Sequence, residues 1–156
     1  MPLPPAQRGM YFEEFVVGQQ VRTAGRTVTE TDIVSFAGLS GDFNQIHVDA
    51  AFAKTMPFGQ RVAHGLCVLS IASGLAVQTG IMEGTVLAFR EIKEWKFSLP
   101  VFIGDTIHVV MDVLELRAIP RLGGGGVTIS LDVQNQDGKS VQKGQWVVLM
   151  MGQPKP

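Results

Sequence analysis

The run Ser40-Gly41-Asp42-Phe43-Asn44-Gln45-Ile46-His47-Val48-Asp49 gathers side-chain oxygens and an imidazole in a polar, turn-rich stretch without a clear helical or strand period. Asp42 and His47 stand five residues apart there, where side chains can converge without helical constraint. A carboxylate ionised near neutral pH accepts protons, and an imidazole titrates in the physiological range. Such a pair can hold one water and move its protons, which is general acid–base chemistry. The same residues also fit a purely architectural reading, a helix end followed by an Asx-turn with His47 bonded to a backbone carbonyl.

Other candidates carry less. Asp42, His47, Asp49 and His64 include oxygen and nitrogen donors, but they lack the tight His-x-His or His-x3-His spacing of a metal site. His64 reads as a packing residue at a turn. Gly123 to Gly126 lacks the Gly-Lys-Ser/Thr of a phosphate loop and reads as a flexible connection between strands. Cys67, the single cysteine, falls inside an apolar helix where thiols are inert, and it excludes an intrachain disulfide or a thiolate cluster. His108 lies in a strand without an evident partner.

The elements that must position these groups follow from periodicity. Thr29-Glu30-Thr31-Asp32 has the form of a capping box, and Ile33, Phe36 and Ala37 then share one helical face before Gly38, Ser40 and Gly41 end the helix. Ala50 to Thr55 allows one or two further turns. Gly65 to Val77 is apolar on nearly every face, which requires burial on all sides, and Gly80 marks its end. After Gly84 the pattern is strands: Val86 to Leu99, Thr106 to Arg117, Val127 to Gln134 and Val141 to Met150. A short strand, Gln20 to Ala24, precedes the helices. Asp137-Gly138 is a hairpin signal between the last two strands. Residues 1 to 10, with three prolines, read as an extended arm. A strand-rich half with one apolar face needs a cover, and the greasy helix is the one element suited to it. The order predicts an α+β hot-dog fold, a curved antiparallel sheet wrapped around a long central helix, with a second subunit covering what one small sheet cannot.

Composition bounds the function classes. The chain has 156 residues, 46% hydrophobic and 17% charged, which suits a single domain spanning 1–156 with its own core. Its net charge is −1, which offers no basic excess for nucleic acid or a membrane surface. The N-terminus lacks the basic-then-apolar form of a signal peptide, and the longest apolar stretch is too short for a membrane span, so a cytoplasmic location is expected.

Asp42-Phe43-Asn44-Gln45-Ile46-His47-Val48-Asp49, then Phe52-Ala53, then Phe58-Gly59-Gln60-Arg61-Val62-Ala63-His64-Gly65, resembles the MaoC-like (R)-specific enoyl-CoA hydratases and dehydratases of the hot-dog superfamily. Phe97-x-x-Pro100-Val101-x-x-Gly104-Asp105 continues the likeness, which spans roughly residues 11 to 150. The resemblance implies addition of water to a trans-2-enoyl thioester of CoA or acyl-carrier protein, or the reverse, by a homodimer or higher homo-oligomer without bound cofactor or metal. It assigns catalysis to Asp42 and His47 and the enolate donor to the Gly65 backbone. Asn44 and Ser73 become substrate-binding residues, although a helical serine can equally bond its own i−4 carbonyl. Gln45 departs from the family's proline, which loosens the turn. An acyl thioesterase and a non-catalytic acyl-thioester binding module are the rival readings.

Overall fold

The computed structural model describes residues 9–155. In chain order its elements are β1 (Gln20–Arg22), β2 (Arg26–Thr27), α1 (Glu30–Ser40), α2 (Gln45–Val48), α3 (Ala50–Ala53), α4 (Gly65–Gln78), β3 (Val86–Phe97), β4 (Thr106–Ile119), β5 (Gly124–Gln134) and β6 (Ser140–Met151). The strands pair antiparallel in the order β1-β4-β5-β6-β3, with β2 also on β4. Helix α4 packs against one face of this sheet, giving the expected hot-dog arrangement.

Local chemistry sets the helix ends. The Thr29 hydroxyl accepts from the Asp32 N–H at 3.3 Å, and the Asp32 carboxylate accepts from the Thr29 N–H at 2.9 Å, so the expected capping box opens α1. Gly41 closes that helix in the left-handed region, with φ 78°. Between β5 and β6 the expected hairpin forms, with Gly138 at φ 73° and the Asn135 N–H bonded to the Lys139 carbonyl at 3.0 Å.

The core joins α4 to the sheet through Cys67, Val68, Ile71, Ala72, Leu75 and Ala76, against Val109, Met111, Ile129, Leu131, Trp146 and Val148. The apolar stripe is wider than this contact. Leu66 and Val77 are 59% and 50% exposed, so burial of α4 on all sides is not achieved within one chain. One sheet can cover only one side of a cylinder, and the rest of α4 is left open. The adjoining edge strand β3 is exposed too, presenting Val86, Leu87, Phe89, Ile92 and Phe97.

The glycine run corrects the sequence reading. Gly123 alone is a turn residue, at φ 64°, while Gly124, Gly125 and Gly126 are buried inside β5. A Cβ on Gly125 would strike the Phe12 ring and the Arg117 carbonyl, so side-chain absence, not flexibility, is what the strand requires there. Of the expected N-terminal arm, Gly9 and Met10 are docked, their N–H groups bonded to the Gly80 and Ile81 carbonyls at 2.8 Å each. The remainder, residues 1 to 8, lies outside the described residues. Among the described residues no helix is long and apolar enough to cross a membrane.

Candidate active site

Asp42 follows the left-handed Gly41 and is tied down at its backbone and one carboxylate oxygen. Its N–H donates to the Ser40 hydroxyl at 3.2 Å, its Oδ1 accepts from the Asn44 N–H at 3.2 Å, and its carbonyl accepts from His64 Nε2 at 2.9 Å. Oδ2 is left to face His47. His47 does not sit in irregular chain, as its sequence neighbours suggest, but on the single turn α2, whose first N–H groups are capped by the Asn44 side chain at Ile46 N, 3.2 Å. This places the ring inward, 7% exposed.

The tautomer of His47 follows from its partners. Nδ1 lies 2.7 Å from the Val62 carbonyl, and a carbonyl only accepts, so Nδ1 carries the hydrogen. In the neutral ring the lone pair is therefore at Nε2, which stands 3.9 Å from Asp42 Oδ2. That separation exceeds a direct hydrogen bond but lets one water sit at about 2.8 Å from both atoms. His64 stacks on His47 with ring centroids 3.8 Å apart and planes at 25°. It is 2% exposed, so the packing role expected for it is real, and it adds the hold on the Asp42 carbonyl.

Asp42, His47 and His64 each bring a ligand atom within 4.8 Å of the others. Their orientation does not suit a metal. Stacked rings direct in-plane lone pairs side by side instead of toward one point, and His47 Nδ1 and His64 Nε2 are already committed to carbonyls.

His47 lies at the wall of an apolar cavity of about 470 Å³, bounded by Phe58, Leu66, Val68, Phe97, Leu99 and Val101. That volume is ordinary for a small-molecule site. Gly65, the first residue of α4, also lines it. The opening N–H groups of a helix have no intrahelical acceptor and carry the positive end of its dipole. Among the described residues the Gly65 N–H is unpaired. A Cβ at Gly65 would lie 2.7 Å from Cδ1 of Phe97, so the Phe97 ring would have to shift to admit any larger residue.

His47 and Gly65 thus line the cavity and Asp42 stands beside His47, whereas Asn44 and Ser73 do not line it. The Asn44 oxygen is spent on capping α2. Ser73 is two turns along α4 from Gly65, roughly 12 Å at 1.5 Å per residue, and donates to the Ser70 carbonyl at 2.8 Å. Burial, then the nearby Asp32 charge, pushes the Cys67 thiol up to about 11, consistent with an inert core residue.

The family model described as "MaoC like domain" matches residues 13–135. The chain belongs to the MaoC-like family. It is 32% identical over 139 residues to the (R)-specific enoyl-CoA hydratase of Aeromonas caviae, covering 89% of this chain and 98% of that one. It is 44% identical over 99 residues to protein MaoC of Klebsiella aerogenes, where the match covers 64% of this chain but only 29% of that larger protein. Among solved structures, one described as a monoamine oxidase regulatory protein from Archaeoglobus fulgidus superposes with a TM-score of 0.88 at 40% identity, covering 96% of this chain and 99% of that one. Hydratases and dehydratases are thus among the relatives of this MaoC-like chain, at modest identity.

Sequence reasoning did not reach Gln142. It is 2% exposed in β6, lines the cavity, and donates through Nε2 to the Gly65 carbonyl at 2.9 Å. The available signal was its position: Gly144, Trp146, Val148 and Met150 alternate inward along β6, and Gln142 continues that row.

Proposed function

We propose that this MaoC-like protein adds water to trans-2-enoyl-CoA to give (R)-3-hydroxyacyl-CoA, or runs the reverse dehydration. The observation that carries this reading is the lone pair of His47 Nε2 facing Asp42 Oδ2 across 3.9 Å, at the wall of an apolar cavity that also contains the N-terminus of α4. His47 and Asp42 hold one water. As its oxygen bonds to Cβ, His47 Nε2 takes a proton, and the π electrons move through Cα onto the thioester oxygen. The enolate so formed is stabilised by the free N–H of Gly65. The dyad returns a proton to Cα from the same face, so the addition is syn and the net change is one H and one OH across the double bond. The apolar walls accept the acyl chain.

The active form is a homodimer. A 12-residue edge strand with an exposed apolar row is a template for pairing, and a second copy along β3 also covers Leu66 and Val77 of α4.

The test uses crotonyl-CoA. Loss of enoyl absorbance without release of free thiol, and a product oxidised only by a dehydrogenase specific for the (R)-3-hydroxy isomer, is the expected result. Thiol release without loss of the enoyl band would instead make the protein a thioesterase, and binding without either change would make it a carrier of acyl thioesters.

A further inference from the structure

We propose that Gln142 is a second donor to the thioester oxygen, with Trp95 as the residue that orients its amide. The inference rests on the hydratase reading above, since it assigns a role in the enolate step.

The orientation of the amide is fixed by two partners of opposite kind. The Trp95 indole N–H only donates, and it lies 3.1 Å from Gln142 Oε1. The Gly65 carbonyl only accepts, and it lies 2.9 Å from Gln142 Nε2. A flipped amide would set donor against donor and acceptor against acceptor. Trp95 is itself held in place: a Cβ on Gly144 would lie 2.6 Å from Cε3 of its ring, so β6 provides a bare glycine for the indole to lie on.

Nε2 carries two hydrogens, and Gly65 takes one. The other has no acceptor among the described residues, although Gln142 is 2% exposed. The second hydrogen of a buried amide nitrogen is a donor that a ligand oxygen can take up. Gln142 lines the cavity beside Gly65, whose own N–H is unpaired among the described residues. One oxygen placed at the start of the helix can then accept from both. The bond to the Gly65 carbonyl also holds the first peptide of α4, so the two donors are kept in one geometry before substrate arrives.

The decisive measurement is the absorbance of bound 2,4-hexadienoyl-CoA in an Asp42→Asn background, where binding occurs with little turnover. Polarisation of the thioester carbonyl shifts the band to longer wavelength, a readout that a purely architectural glutamine would not affect. The expected result is a clear shift in Asp42→Asn and its loss in Asp42→Asn/Gln142→Met. With crotonyl-CoA, Gln142→Met alone should lose about 10²–10³ in kcat with KM nearly unchanged. Asp42→Asn/Trp95→Phe, which removes only the orienting donor, should show an intermediate shift. That variant also serves if Gln142→Met does not fold. A full shift in both double variants, whatever happens to kcat, overturns the proposal, as does no shift in Asp42→Asn itself. Failure of the hydratase reading is seen separately, as wild-type protein that does not hydrate crotonyl-CoA while the band shift remains readable.

Discussion

Because the Val62 carbonyl takes the Nδ1 hydrogen of His47, the ring offers its lone pair at Nε2 and nowhere else. The architectural reading of His47, bonded to a backbone carbonyl, is met at Nδ1, and Nε2 is left to face Asp42, as the proposed chemistry requires. The carbonyl fixes the tautomer that the chemistry needs. Asp42→Asn keeps an Oδ1 for the Asn44 N–H and so preserves the turn while removing the charge. His47→Gln removes the imidazole. Each should lower kcat for crotonyl-CoA hydration by about 10²–10⁴. The double variant should lose little more than the worse single one, because groups that share one water act as a unit. Steady-state kinetics on the three variants checks this, and near-wild-type hydration by either single variant removes the dyad from the mechanism.

At the scale of the element, α2 is a four-residue turn that holds the His47 imidazole, so its stiffness matters to the proposed mechanism. Gln45, which stands where the family pattern has proline, is the first residue of that turn. This is the helical position at which proline is best tolerated, since its missing N–H has no intrahelical acceptor. Asn44 before it already has ψ 135°, within the extended range that a following proline imposes. Gln45→Pro should therefore stabilise the fold by about 0.4–1 kcal/mol through the unfolded chain. Thermal melting should show the rise in Tm with kcat unchanged. A lower Tm would mean that the Gln45 N–H or side chain is needed, contrary to the bonds seen at α2.

At the scale of the molecule, two features depend on elements far apart in sequence. The open stripe of α4 and the apolar edge β3 predict a dimer: sedimentation at micromolar concentration should give twice the chain mass, and Phe89→Lys on the edge should shift it toward monomer with loss of activity. A fully active wild-type monomer would contradict the proposed assembly. The second feature is His108, in β4 between Arg22 on β1 and Asp132 and Gln134 on β5. Burial first, and then the Arg22 charge, hold its pKa below the usual 6.5; Gln134 and Asp132 oppose this in part. The folded state thus disfavours the proton. This contribution to stability is complete above the unfolded pKa, about 6.5, and is lost as pH falls from there through the lower folded value. His108→Gln should flatten that part of the Tm-against-pH curve, and an unchanged slope would place its source elsewhere.

What the sequence determined by itself was what residues within a few positions of one another decide. The capping box at Thr29 and Asp32, the Asp137-Gly138 hairpin, the apolar central helix and the Asp42-to-His47 spacing all rest on such short-range relations, and each was legible. Only tertiary structure decided which side chains reach the cavity. It gave Asn44 to a helix cap and Ser73 to its own helix, and it packed Phe12 against Gly125, turning an apparent loop into buried strand. It also joined Gln142 to Gly65 across 77 residues. A pattern along the chain gives the period of a face, but not the register that sets one strand against another or the element that lies over it. For that reason the pairing of Asp42 with His47 could be read from sequence, while Gln142 beside Gly65 could not.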